Sequence, residues 1–145
     1  MRVSEAMTRD VKICTPGQTI REAARTMAEI DAGAMPVGEN DRLIGMITDR
    51  DIAIRGVAQG KGPDTPVREV MTSDVKYCYE DEDLDHVAEN MGDIKVRRLP
   101  VMNREKRLVG ILALGDLARS EDKQTAGKTI KEVSKPGGPH TQRTK

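Results

Sequence analysis

Few residues in this chain have chemistry to offer, and the most concentrated of them lie in one short run. Gly45-Met46-Ile47-Thr48-Asp49-Arg50-Asp51 places a hydroxyl and a carboxylate three residues apart after a glycine. That spacing is a capping pair for the start of a helix, and a helix start offers free amides and a positive dipole end to a phosphate. A related run, Gly110-Ile111-Leu112-Ala113-Leu114-Gly115-Asp116, keeps the carboxylate but has Ala113 where the hydroxyl would be. Cys14 and Cys78 are too few for a disulfide scaffold. They read as small buried apolar residues, with a redox pair as the sharper alternative. Glu80-Asp81-Glu82-Asp83 resembles a metal-binding run, but it stands just before a helix, where acidic side chains meet the dipole favourably. Two histidines, His86 and His140, cannot build a His-rich metal site, and His86 reads as an exposed third residue of a helix. No nucleophile–base pairing, metal-ligand cluster or P-loop glycine pattern appears in the sequence. The chain is therefore expected to be something other than an enzyme.

Composition narrows the classes further. The 145 residues carry 24 Lys+Arg against 24 Asp+Glu, with no Trp, no Phe and only Tyr77 and Tyr79 as aromatics. Binding of single-stranded nucleic acid usually needs a basic groove and aromatic platforms, so no nucleic-acid partner is expected. The apolar stretch from Leu108 to Leu114 is far short of the roughly 18 residues of a membrane span. The opening MRVSEAMTRD lacks the apolar core of a secretory signal. A cytoplasmic, globular protein is the expectation. The zero net charge conceals an asymmetry: residues 1–118 hold 17 basic and 21 acidic side chains, whereas residues 119–145 hold 7 and 3.

The elements that must position these residues come in duplicate. With an offset of 64, residues 3–37 fall on 67–101, and after one extra residue 42–54 fall on 107–119; 18 of these 48 columns are identical. Ordinary composition would give roughly three. The reading is a first repeat at 3–55, a Gly- and Pro-containing linker at 56–66, a second repeat at 67–119, and a basic polar tail at 120–145. Each repeat opens with a short helical turn, with Ser4 as its cap in the first, followed by a strand at 11–14 or 75–79. Thr19 and Glu22 form a capping box, and Ile20, Ala23, Ala24 and Met27 mark one face of a helix. Asp83 caps the equivalent helix of Leu84, Val87, Ala88 and Met91. Gly33 is read as a helix stop. Strands follow at 34–37 and 42–47, and at 98–102 and 107–113, before a second helix at Thr48 and at Gly115-Asp116. The order is β-α-β-β-α, twice, an α/β (α+β) fold. A unit of ~50 residues is small for a stable core. Two such units packed sheet against sheet would form a pseudo-twofold module with paired clefts.

At this point the sequence resembles a known family. The pattern M-T-x-D-V, a capped helix, h-P-V and then R-L-h-G-h-h-T-D-R-D-h is similar to the cystathionine-β-synthase (CBS) domain, whose tandem pair forms a Bateman module. The resemblance covers residues 3–119, nothing else in these residues resembles the catalytic domains or transporters to which such modules are often fused, and a stand-alone bacterial-type CBS pair is the expectation. It implies regulatory binding of an adenosine-containing ligand, such as AMP, ADP, ATP, NAD or S-adenosylmethionine, between the repeats, and a homodimer. By similarity, Asp51 would accept ribose hydroxyls, and Thr48 would meet phosphate or ribose with Arg50 beside it. Thr8, Asp10, Val11, Ile13, Ala34, Met35 and Pro36 would complete the first site. A second site would use Thr72, Asp74, Val75, Tyr77, Arg97, Arg98, Leu99, Pro100 and Asp116. There the loss of the hydroxyl at Ala113 removes a polar anchor, which Arg97 and Arg98 would offset by reaching a phosphate.

The alternative is a non-catalytic dimerisation or protein-interaction module with degenerate sites, which docks on an unknown protein partner through a helical face or the tail. In the tail, Ile130 and Val133 suggest a short helix over 126–134, with disorder expected beyond Lys135.

Overall fold

The computed structural model describes residues 1–120 and 123–134, and the expectation for the chain beyond Lys135 lies outside the described residues. The described residues form two compact units, one of residues 11–75 and the other of residues 1–10 with those from 76 onward.

In the unit of residues 11–75, α2 (Ile20–Ile30) leads into β1 (Ala34–Glu39) and β2 (Arg42–Thr48). These strands pair antiparallel, with Met35 opposite Ile47 and a bulge between Val37 and Gly38. A short α3 (Asp49–Asp51) widens into a π turn at Ile52–Gly56 and a 3-10 turn at Val57–Gln59. A further 3-10 turn at Val67–Glu69 follows. The core is Cys14, Ile20, Ala23, Met27, Met35, Val37, Ile47, Val67 and Val70.

In the other unit, α1 (Val3–Ala6) packs with α4 (Leu84–Ile94). The two-residue β3 (Cys78–Tyr79) pairs parallel with β4 (Arg98–Met102), which pairs antiparallel with β5 (Leu108–Ala113). A short α5 (Leu114–Ala118) precedes α6 (Lys123–Val133). Its core is Val3, Met7, Cys78, Leu84, Val87, Ala88, Met91, Leu99, Val101, Leu112 and Leu117. Short antiparallel pairs covered by helices make the fold α+β. No described helix is long and apolar enough to cross a membrane.

The opening turn of each repeat is built into the unit formed by the rest of the other repeat. Val3 donates its amide to Glu82 O and Ser4 to Glu80 O, each at 3.0 Å. Val67 and Arg68 make the equivalent bonds to Gln18 O at 2.7 Å and Pro16 O at 3.1 Å. Val3 and Met7 recur at i, i+4, so their turn presents one apolar edge, and that edge is buried in the core containing Leu84 and Leu117.

Several local expectations are corrected. Ser4 lies inside α1, whose N-cap is Arg2 with no side-chain hydrogen bond. The strands expected at 11–14 and 75–79 shrink to a single bridge at Cys14, opposite Val37, and to β3. Their backbone pairing with the sheet begins only where Cys14 N donates to Pro36 O at 2.9 Å and Cys78 comes opposite Val101. Thr19 caps α2 by accepting from Glu22 N at 3.1 Å, but the Glu22 carboxylate accepts from Gln18 Nε2 rather than closing a box. Residue 31 stops α2, before Gly33, with Asp31 at φ 54°; Lys95 does the same for α4 at φ 56°. Gly33 serves another purpose: its carbonyl accepts from Asp49 N at 2.9 Å, and a Cβ there would sit 3.0 Å from Asp49 Oδ2. Asp83 caps α4 as expected, accepting from His86 N at 3.3 Å, and His86 is exposed. Ala24 is exposed, although its counterpart Ala88 is fully buried. The difference comes from α6, which packs on α4 and α5 and donates the Thr129 hydroxyl to Ala88 O at 3.1 Å. The tail helix thus exists, begins at Lys123, and docks on its own unit, with Val133 buried.

Candidate functional site

The carboxylate of Asp51 is positioned by the end of β2. Extended backbone at Thr48 turns into α3, its hydroxyl accepts from Asp51 N at 2.9 Å, and Asp51 Oδ2 accepts from Thr48 N at 3.1 Å. Both halves of a capping box are therefore made. Asp51 is half-buried, and among the described residues its second oxygen takes no hydrogen bond from the protein. Arg50 is exposed on the same turn, and its guanidinium makes no ion pair with a described residue. A fixed carboxylate with one open oxygen, a hydroxyl and a free guanidinium on one turn can recognise a diol and an anion together.

Asp116 has the same place in its repeat and a different environment. Its Oδ2 accepts from Ala113 N at 2.8 Å, the surviving half of the capping box. Its Oδ1 accepts from the Thr8 hydroxyl at 3.1 Å and from Arg119 Nη2 at 2.7 Å. Only 6% of the residue is exposed.

The structure regroups the two expected sets of site residues. Val11, Ile13, Ala34, Met35, Pro36, Thr48, Arg50 and Asp51 lie in the unit of residues 11–75, together with Thr72, Asp74 and Val75. Thr8 and Asp10 instead join Tyr77, Arg97, Arg98, Leu99, Pro100 and Asp116. The cause is a pair of backbone bridges. Thr8 N donates to Ile111 O at 2.8 Å and Ile111 N to Thr8 O at 3.0 Å; Thr72 and Met46 exchange the same two bonds at 2.8 and 2.9 Å. Met35 and Leu99 are 2% and 1% exposed and belong to the cores. Their neighbours Ala34, Pro36 and Pro100 are buried as well. Ile13 and Tyr77 keep 51% and 45% of their surface exposed and remain available to an apolar ligand surface. Arg97 and Arg98 make no ion pair with a described residue.

Three features escaped the sequence reading. Gly45 and Gly110 are the points of closest approach: a Cβ would sit 2.7 Å from Thr72 O in one and 2.7 Å from Thr8 O in the other. Arg55 donates to Met71 O at 3.0 Å and Thr72 Oγ1 at 3.5 Å, holding the second repeat's Met-Thr pair. Arg119 holds Asp116, and its signal was its place in the column of Ile54.

The cysteines are free and buried. Burial pushes the Cys14 thiol up to about 11 and the Cys78 thiol up to about 12, with the nearby Glu22 and Glu82 carboxylates adding to the rise. Both are protonated at neutral pH and poor nucleophiles, which favours the packing role. In the acidic run, Asp81 is taken by Arg104, which donates through Nε and Nη2 at 2.8 Å and lies 4.1 Å over the Tyr79 ring. No group of three or more His, Cys, Asp or Glu among the described residues is arranged to hold a metal ion.

Known proteins share this architecture. The CBS domain profile matches residues 3–56 and 67–123. The CBS domain-containing protein YhcV of Bacillus subtilis (strain 168) is 41% identical over 133 residues, covering 91% of this chain and 94% of that one. The crystal structure of Hypoxic Response Protein I with two coordinated zinc ions superposes with a TM-score of 0.74 at 36% identity, over 82% of this chain and 98% of that one. The CBS domain pair of protein MJ0100, solved in complex with 5′-methylthioadenosine and S-adenosyl-L-methionine, gives a TM-score of 0.74 at 30% identity, with coverage of 82% and 98%. With both repeats matched and most of its length shared with these relatives, the chain belongs to the CBS domain family as a tandem pair.

Proposed function

We propose that this CBS pair is a regulatory, non-catalytic module that senses an adenine nucleotide or other adenosyl ligand through Thr48, Arg50 and Asp51. The observation that carries the reading is the open oxygen of Asp51. A carboxylate held in place by Thr48 N at one oxygen, with the other left to solvent, is an acceptor for a ribose diol. The exposed Arg50 supplies charge for a phosphate or carboxylate. Exposed Ile13 offers an aliphatic surface to a base in a unit that has no aromatic side chain. The adenosyl ligands of the MJ0100 pair support the same class. Thermal shift against AMP, ADP, ATP, NAD and S-adenosylmethionine tests it: ligand at 100 Kd adds about 2.7 kcal/mol. Absence of a shift with all five, or a shift unchanged in Asp51→Ala, would sink the reading.

The module self-associates as a homodimer in this reading, through the helical face of residues 11–75. Ala24, Ala28, Ile54 and Val57 are exposed there on helices that pack together, whereas α6 covers the corresponding face of the other unit. Exposed Arg25 and Glu29 flank that face, so it is complementary in charge to a second copy. Sedimentation of Ala24→Arg at the mass of one chain, against twice that mass for the unaltered protein, is the expected result. A single-chain mass for both would leave protein-interaction through this face as the surviving alternative.

A further inference from the structure

The two repeats do not treat their carboxylates alike. Between residues 113 and 119 the second repeat differs from the first at five columns, and three of them bear on the aspartate: Ala113 replaces Thr48, Gly115 replaces Arg50, and Arg119 replaces Ile54. Two of them act at the carboxylate, and the third removes the hydroxyl that in the first repeat accepts from the aspartate's backbone amide. Loss of the hydroxyl at residue 113 leaves only the backbone amide to hold Asp116 from that side, at 2.8 Å. Arg119 reaches Asp116 Oδ1 from the C-terminal side at 2.7 Å. Its path runs over Gly115, where a Cβ would stand 3.3 Å from Arg119 Nη1, so the longer side chain found at residue 50 would crowd the guanidinium. Thr8 supplies a third donor at 3.1 Å. Each change therefore removes an acceptor, clears a path or adds a donor. Together they leave Asp116 at 6% exposure with both oxygens engaged, while Asp51 keeps one oxygen open.

From this we infer that Arg119 is a built-in occupant of the second site. It closes Asp116 to a diol, so the module takes one adenosyl ligand per chain, at the Asp51 turn. This rests on the reading of Asp51 given above. A ribose would have to displace a charge-assisted hydrogen bond and break the Thr8 contact to reach Asp116, whereas at Asp51 it displaces only water. The Arg119 side chain is itself 73% exposed, so the occupant sits at the surface and can be removed without opening the core.

Equilibrium dialysis with AMP, ATP, NAD and S-adenosylmethionine, together with circular dichroism of each variant, separates the outcomes. The unaltered chain is expected to bind one ligand, lost in Asp51→Ala and retained in Asp116→Ala. Arg119→Ala is expected to bind two. A combined A113T/G115R/R119I variant, which carries the first repeat's own residues, is expected to bind two with affinities within about tenfold, or 1.4 kcal/mol. Two ligands on the unaltered chain, with one lost in Asp116→Ala, would overturn the inference and leave the function standing. So would one ligand on both opened variants. A chain that binds nothing until Arg119 is replaced would overturn the Asp51 reading and uphold the occupant. No binding by any variant would overturn both.

Discussion

Replacing Gly45 with alanine tests whether the reciprocal bridges shape the fold. The new Cβ would stand 2.7 Å from Thr72 O and 2.8 Å from Met71 Sδ. The methionine is flexible and can swing aside, but the carbonyl cannot. Thr72 is tied to Met46 at both its amide and its carbonyl, at 2.8 and 2.9 Å. Ordinary carbon contacts fall near 3.5–4.0 Å, so the segment has to retreat by several tenths of an ångström and lengthen both bonds. Overpacking of this kind costs about 1–3 kcal/mol, and two weakened backbone bonds add about 1 kcal/mol between them. Reduced freedom of the unfolded chain returns about 0.4–1 kcal/mol. The net expectation is a loss of about 1–3.5 kcal/mol, read as a lower urea midpoint at unchanged slope. Gly17→Ala is the control, because nothing lies within 4 Å of a Cβ there. Adding Met71→Ala should restore only part of the loss. Equal midpoints for Gly45→Ala and Gly17→Ala, or full rescue by Met71→Ala, would refute the assignment of the constraint to the Thr72 carbonyl.

The cysteines and the tail helix give two further expectations. With folded thiols raised from an ordinary 9.0 to about 11 at Cys14 and about 12 at Cys78, the unfolded state ionises first as pH rises. Their contribution to stability is complete below pH 9, declines above it, and is lost as pH passes through the folded values; a Cys14→Ala/Cys78→Ala variant should show a flatter alkaline limb in urea titrations between pH 8 and 10. Native alkylation of both at pH 8 should be far slower than in urea, and equal rates would contradict their burial. Thr129→Val removes the hydroxyl that bonds Ala88 O at 3.1 Å and keeps the shape. It should cost about 1 kcal/mol and speed proteolysis within α6, while unchanged cleavage would mean that the bond does not secure the helix.

What could be read from the sequence was local in origin. The caps at Thr19, Thr48 and Asp83 follow from hydrogen bonds spanning three residues, and the structure makes each of them. The strand pairs follow from apolar runs bounded by turn residues. The exchange of opening turns was invisible for a reason intrinsic to duplication. Val3 and Val67 are the same residue in the same column, as are Met7 and Met71, and Thr8 and Thr72. Either pairing buries the same side chains and makes the same backbone bonds, so no pattern in one sequence separates them. The state of Asp116 was hidden differently. The motif ends at the aspartate, and the group that occupies its carboxylate comes three residues later.

The placement of one arginine accounts for the different fates of the two carboxylates. In the first repeat the arginine is Arg55, aligned with Ser120, whereas in the second it is Arg119, aligned with Ile54. Arg55 is one column further along and lies in the π turn Ile52–Gly56, whereas Arg119 caps the end of α5, so the two side chains leave in different directions. Arg55 consequently reaches the backbone of the neighbouring turn, at Met71 O, and Arg119 reaches the carboxylate one turn before it. The difference should be transferable. In R50G/I54R, the glycine clears the path and the new guanidinium lies at the spacing from Asp51 that Arg119 has from Asp116. Asp51 itself is untouched, and so is the Thr48 cap. R50G alone carries the loss of Arg50 from the site, and relative to it adenosyl-ligand affinity in R50G/I54R is expected to fall at least tenfold, with the urea midpoint within about 0.5 kcal/mol, since both positions are exposed. I54R alone, with Arg50 in place, should have a smaller effect, because the guanidinium meets the crowding that Gly115 avoids. Affinity of R50G/I54R within twofold of R50G alone would mean that an arginine at this spacing does not close the carboxylate, and the closed state of Asp116 would then have to rest on Thr8.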